Sequence, residues 1–342
     1  MPPNHPLHRR SAALLGLAAV LGCRRAAAQG QGQGQGQGQA ERWPERPVRL
    51  LVPYGAGGAS DTLSRIVAQA FPQAAGDQTM VVENRGGAGG TIAGAATAQA
   101  RPDGTTLMLG DLGPNGIAQE LIRGIAYDPL TAFTPICHLV NLPVVIVVNP
   151  ALRARTAADL FDLARARAAT PLTYAHPGIG YVTQLAQEQL LRQTGTRMVA
   201  VPYRSGAEVL RSLIAGECDC AIPTVSTALP FIRDGKVRAI AVCSLAPVAQ
   251  LPGVPTLAAT LPGFKVSVWH GIVGPAGMSP DLVAAANRVF NAIMRRPEVV
   301  AKVEATQAAQ VAGGTPEQFA ALIKADVARW TPLIRELGLR AE

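Results

Sequence analysis

The sequence predicts an α/β protein of two lobes joined by two crossing strands. Apolar runs of strand length alternate with helix-period segments along most of the chain, the grammar of βαβ units. Gly-rich loops repeatedly separate a strand from a helix start. Two longer apolar runs, Phe133 to Pro150 and Val266 to Pro275, can carry the chain out of one lobe and back again. A length of 342 residues with 48% hydrophobic side chains is ample for two cores. Aromatics at 4% and charged residues at 16%, in a chain rich in Ala and Gly, suit small-residue packing rather than disorder.

The N-terminus predicts export. His8-Arg9-Arg10 is a charged n-region, Ser11 to Gly22 an apolar stretch of 12 residues, and Ala26-Ala27-Ala28 an A-x-A cleavage site. That stretch is too short to span a bilayer. Residues 1–28 therefore read as a signal peptide, by the Sec route or, through Arg9-Arg10, the twin-arginine route. Val20-Leu21-Gly22-Cys23 is an imperfect lipoprotein box, in which Cys23 would carry lipid. Gly30 to Gln39 is a Gln-Gly repeat with nothing apolar, so 29–42 reads as a flexible spacer.

The net charge of +8 is mostly a property of that leader. Arg9, Arg10, Arg24 and Arg25 lie in it without an acidic residue, so cleavage after Ala28 leaves +4. No basic run interleaved with aromatics remains, which argues against nucleic acid as a partner.

The first structural unit is Val48 to Phe71. Val48, Leu50, Leu51 and Val52 form a strand, and a helix pattern opens at Ser60-Asp61 with Leu63, Ile66, Val67 and Ala70 on one face. Between them Gly55, Gly57 and Gly58 leave backbone N–H groups bare beside the positive end of a helix, which suits an anion. A dinucleotide fingerprint would need Gly where Ser60 stands. A Gly-rich turn needed only for packing is the alternative.

The same grammar repeats. A strand over Met80 to Glu83 meets a second Gly-rich turn, Asn84 to Gly90, and Thr91 opens a helix; a third strand runs from Thr105 to Leu109. On one parallel sheet these loops would sit at the carboxyl ends of the strands, where ligands bind. Beyond the first crossing, Thr156 with Asp159 marks a capped helix start. A strand over Leu172 to Tyr174 feeds a third polar loop, Ala175 to Gly180. Helices over Val182 to Thr194, Gly206 to Ala215 and Ser226 to Asp234 then alternate with strands over Arg197 to Val201, Cys218 to Ile222 and Val237 to Cys243. After the return crossing the pattern is helical over Pro280 to Met294, Pro297 to Gln307 and Pro316 to Leu337.

Cys137, Cys218, Cys220 and Cys243 follow the leader. Cys218 and Cys220 on one strand would share a face but are poorly placed to bond each other. A metal site would want wider spacing and nearby His. The four read as buried small apolar residues, with one disulfide between adjacent strands left open.

Taken in order, several motifs resemble those of a known family. They are Trp43-Pro44, Val52-Pro53-Tyr54-Gly55-Ala56-Gly57-Gly58-Ala59-Ser60-Asp61, Val82 to Ile92, Pro102-Asp103-Gly104, Tyr127-Asp128-Pro129, Val201 to Gly206, Leu251 to Thr256 and Gly274-Pro275-Ala276-Gly277. The succession resembles the Bug family, the extracytoplasmic solute receptors of tripartite tricarboxylate transporters, over essentially all of Trp43 to Leu339. The resemblance implies a type II periplasmic binding protein fold, with 43–140 and 265–342 as lobe 1, 141–264 as lobe 2, and the two crossover strands as hinge. It implies a monomer in the periplasm that closes on a small carboxylate, needs no cofactor and meets the membrane subunits of a transporter transiently. A ligand sensor for a signalling partner would look the same.

Carried onto this chain, the resemblance assigns ligand contacts to Tyr54, Gly57, Gly58, Ser60, Asp61, Gly89, Gly90 and Thr91 of the first lobe. From the second come His176, Gly178, Gly180, Tyr181 and Thr183, with Trp269 at the crossing as a wall. Asp61 reads equally as a helix cap. His176 and Tyr181 stand where relatives commonly have a small hydroxyl residue, Gln184 where they have His, and Asp111 where Ser or Thr is usual. Asp111 would repel a nearby dianion unless paired, and a protonated His176 could offset it. A carboxylate ligand with an aromatic, amide or cationic portion is therefore expected, rather than a citrate-like trianion. The rival class, a hydrolase-type enzyme, has only His176 with Asp111 as acid and base, and no G-x-S-x-G.

Overall fold

The computed structural model describes residues 43–340. The expected signal peptide, the Gln-Gly spacer and Cys23 lie outside the described residues. Along the chain, β1 (Val48–Val52), α1 (Ala59–Ala74), β2 (Met80–Asn84), α2 (Thr91–Ala98), β3 (Thr106–Gly110), α3 (Ala118–Leu121) and β4 (Phe133–Pro143) come first. Then follow β5 (Val145–Val148), α4 (Ala157–Ala166), β6 (Leu172–His176), α5 (Val182–Thr194), β7 (Met198–Pro202), α6 (Gly206–Ala215), β8 (Cys220–Ala221), α7 (Val225–Arg233) and β9 (Arg238–Val242). After them come β10 (Ser267–Pro275), α8 (Pro280–Met294), α9 (Pro297–Gln307), β11 (Gln310–Val311) and α10 (Pro316–Leu337).

The strands make two sheets, β11-β4-β10-β3-β1-β2 and β7-β6-β8-β5-β9. In the first, β1 runs parallel to both β2 and β3, but β10 is antiparallel to β3 and β4. The sheet is thus mixed, where the sequence suggested a parallel one. The reason is that β4 leaves this sheet for the other while β10 returns beside it, so the two must run in opposite senses. Only Val144 separates β4 from β5 of the second sheet, where it bridges to Thr224. On the way back, Val266 N–H donates to the Cys243 carbonyl at 3.0 Å.

Helix starts and faces follow local rules. Leu63, Ile66, Val67 and Ala70 of α1 are all buried, as their i, i+3, i+4, i+7 spacing requires, and each large one contributes about 1.5–3 kcal/mol of burial. At α4, Thr156 and Asp159 satisfy each other's backbone N–H groups at 3.1 and 2.9 Å, a full capping box. The strand expected over Cys218 to Ile222 shrinks to two residues. There the Asp219 carboxylate takes the Thr173 N–H at 2.7 Å, so a side chain replaces a backbone partner.

Cys137, Cys218, Cys220 and Cys243 are all free and buried. Burial pushes the Cys137 and Cys243 thiols up to about 12, so they pack as apolar residues rather than react. Among the described residues no helix is long and apolar enough to cross a membrane.

Candidate ligand-binding cleft

The loops at the carboxyl ends of β1, β2, β3 and β6 carry most of the residues singled out above, and the fold gathers several of them. Tyr54, two residues past β1, donates its hydroxyl to Asp111 Oδ2 at 2.5 Å. Asn84, ending β2, holds the Tyr54 carbonyl through its side-chain amide at 3.1 Å. Asp111, one residue past β3, accepts the Gly113 N–H on Oδ1 at 2.9 Å, and its own N–H donates to Asn115 Oδ1 at 3.2 Å. Burial pushes the Asp111 carboxyl up to about 6, held back by the Tyr54 hydroxyl and the Gly113 N–H.

The helix that follows β1 starts without a side-chain cap. Gly57 N–H does not stay bare: it donates to Asp61 Oδ2 at 2.9 Å, and Arg65 pairs with the same carboxylate at 3.0 Å. Burial opposes the charge of Asp61, but the Arg65 guanidinium and the Gly57 N–H hold its carboxyl below the usual range. Asp61 therefore organises the turn. Ser60 Oγ lies 3.2 Å from His270 Nε2, a buried histidine on the returning strand β10. Gly90, at φ +92, opens α2 in the left-handed region, and a Cβ there would meet Pro53 at 2.9 Å and Pro114 at 3.2 Å. Thr91 turns its hydroxyl back to the Ala88 carbonyl at 2.8 Å.

From the second lobe, His176 ends β6 with Nδ1 3.0 Å from the Gly178 carbonyl, a donor in the Nδ1–H tautomer. Burial holds its imidazole below the ordinary value, so it stays neutral and does not offset Asp111 as the sequence suggested. No hydrogen bond or ion pair among the described residues joins His176 to Asp111. Gly180 N–H donates to Gln184 Oε1 at 2.9 Å, and Tyr181 caps α5 through its backbone alone. The Thr183 hydroxyl is buried without a partner.

The two lobes meet here. Tyr54 and Tyr181 rings lie 5.8 Å apart, and a Cβ on Gly180 would fall 2.1 Å from Leu121 Cδ1 of α3. Trp269 stands apart from this group. It is 2% exposed, donates its indole N–H to Asp326 at 2.8 Å and packs edge-on against Phe319.

Asn115, Gly113 and Leu121 were not singled out from the sequence, although the Gly113-Pro114-Asn115-Gly116 turn after a strand repeats the signal of the earlier loops. A cavity of about 500 Å³ elsewhere is lined by Arg49, Arg85 and Arg101, which already pair with Glu83 and Asp103. No group of side chains suited to a metal ion occurs among the described residues.

Residues 63–339 match the family model described as tripartite tricarboxylate transporter family receptor. BugT of Bordetella pertussis is 31% identical over 303 residues, 88% of this chain and 92% of BugT. R. palustris Rpa4515, solved with adipate, superposes with a TM-score of 0.79 at 30% identity, over 87% of this chain and 99% of that one. MatC from Rhodopseudomonas palustris, solved with bound malate, gives 0.75 at 30% identity, over 85% and 100%.

Proposed function

The chain belongs to the tripartite tricarboxylate transporter receptor family, and from that premise we propose that its solute is captured between the loops after β1, β2 and β3 and the loop that enters α5. It is a periplasmic receptor that binds a small carboxylate for a tripartite tricarboxylate-type transporter, like relatives solved with adipate and malate. Lobe 1 comprises 43–140 with 265–342 and lobe 2 comprises 141–264. The observation that carries the reading is the Tyr54–Tyr181 contact, because it joins loops that belong to different sheets.

The helix starts support it. α4, α6, α8 and α10 are capped by Thr156, Ser205, Ser279 and Thr315, whereas α1, α2 and α5, which begin at these loops, have no side-chain cap, a trait they share with α3, α7 and α9. The first-turn N–H groups of α1, α2 and α5 are available to an anion's oxygens. Tyr54, Gly58, Ser60, Gly89, Gly90 and Thr91 face the solute from lobe 1, with His176, Gly178, Gly180, Tyr181 and Thr183 from lobe 2. Gly57 and Asp61 shape the first turn. A solute that bridges both lobes stabilises the closed form by contacts absent from the open one, and the membrane subunits read that difference. No cofactor takes part. The mature receptor acts as a monomer, exported by the signal in 1–28.

A thermal-shift panel of aliphatic dicarboxylates, citrate, aromatic carboxylates and amino acids tests this. A true solute at a hundred times its Kd adds about 2.7 kcal/mol of apparent stability. If no carboxylate raises the midpoint, the reading fails.

A further inference from the structure

Asp111 is a buried acid with no cation. It is 8% exposed, its oxygens accept only from Tyr54 and from the Gly113 N–H, and no arginine, lysine or histidine pairs with it among the described residues. Three cations of the same lobe are engaged elsewhere, Arg65 with Asp61, Arg85 with Glu83 and Arg335 with Glu120. His176 is neutral and turned to Gly178. A carboxylate removed from water without a counter-charge is costly, and a fold retains one where something else supplies that charge.

The surroundings say what would supply it. The hydroxyl that binds Asp111 belongs to Tyr54, whose ring faces Tyr181 of the other lobe at 5.8 Å. The Asp111 charge also raises Tyr181, pushed up to about 12 chiefly by burial, so both rings lie within its field. Aromatic faces are negative at their centres and attract cations, as a carboxylate does. A buried acid beside two tyrosine rings, where two lobes close, matches an ammonium or a quaternary ammonium group and repels a second carboxylate.

We propose that the solute is a zwitterion: a carboxylate that also carries an ammonium or quaternary ammonium group, whose cationic end is held by Asp111 beside the Tyr54 and Tyr181 rings, which part from their 5.8 Å contact to admit it. The inference rests on the carboxylate reading above, in which the anionic end goes to the bare helix starts. A zwitterion then meets complementary charge at both ends, whereas a dicarboxylate brings one of its anions to Asp111.

The test uses matched pairs on the purified protein by calorimetry. Glycine, β-alanine, 4-aminobutyrate, 5-aminovalerate and their trimethylammonium forms are compared with the corresponding carboxylates lacking the amine, and with adipate and malate. The expected result is that a cationic member binds at least about tenfold tighter than its amine-free partner. Asp111→Asn, nearly isosteric, should lose about tenfold or more for the cationic member and gain for adipate. Tighter binding of adipate or of an amine-free acid by the unaltered protein overturns the inference and leaves the carboxylate receptor standing. So does a preference that Asp111→Asn leaves unchanged. No binding by any member removes the carboxylate reading and the inference with it.

Discussion

The ring of Tyr54, on the loop that leaves β1, lies 5.8 Å from the ring of Tyr181, which caps α5, with their planes tilted by 35°. One ring is carried by a loop of the six-stranded sheet and the other by a loop of the five-stranded sheet, so their contact joins the two lobes. Tyr54 also donates to Asp111, an acid that has no paired cation among the described residues.

Replacing Tyr54 by Phe keeps the ring and removes the 2.5 Å hydrogen bond. We expect a loss of about 1.5–3 kcal/mol at neutral pH, the usual range for a bond to a charged group. Asp111 should titrate higher than in the unaltered protein, since the hydroxyl, with the Gly113 N–H, is what holds it down. A carboxyl titration by NMR that places Asp111 where it was before would refute this.

The pH dependence has two opposed parts. Burial pushes Asp111 up to about 6, while an unfolded aspartate titrates near about 3.9. The folded chain holds this proton more tightly, so the contribution is full below about pH 4 and is lost as pH rises through about 6. Its size is on the order of 3 kcal/mol. His270, pushed down to about 4 by burial and by His138, runs the other way. Its contribution is full above about pH 6.5 and is lost as pH falls toward about 4. Asp111→Asn should therefore steepen the loss of stability on acidification, and His270→Gln should reverse it. Denaturation midpoints across this window, with identical slopes in all three proteins, would contradict the assignment.

Gly180 sits at φ +83, and a Cβ there would fall 2.1 Å from Leu121 Cδ1 of the other lobe. Gly180→Ala should strain the backbone by about 1–2 kcal/mol and hold the lobes apart. Solution scattering is expected to show a larger radius of gyration for the variant at saturating solute. Adding Leu121→Ala should restore closure while the backbone strain remains. A single variant that closes normally would mean that this contact does not gate the cleft.

Trp269→Phe removes the indole N–H that Asp326 accepts at 2.8 Å and leaves that half-buried carboxylate short of a partner. The expected effect is a loss of about 1–3 kcal/mol in chemical denaturation, with solute affinity nearly unchanged. The opposite pattern, weak binding in a stable protein, would restore Trp269 as a wall of the cleft.

Much of this architecture was legible in the chain. The bounds of α5, α6, α8, α9 and α10 match those read from the sequence, because helix starts and faces depend on neighbours within four residues. The Gly-rich turns before α1 and α2 were visible for the same reason. The mixed sheet was not, since the direction of β10 is set by β4, more than a hundred residues earlier. Roles inside the cleft were legible only in part. Asp61 was assigned to solute or cap with equal weight, and its engagement with Gly57 and Arg65 shows how it shapes the turn. The sequence alone determined two lobes of α/β units, polar loops at strand ends and the presence of an unusual acid at position 111. Only the tertiary structure decided that Tyr54, Asp111 and Tyr181 meet, because side chains that far apart are joined by sheet order and lobe closure, which no local pattern encodes.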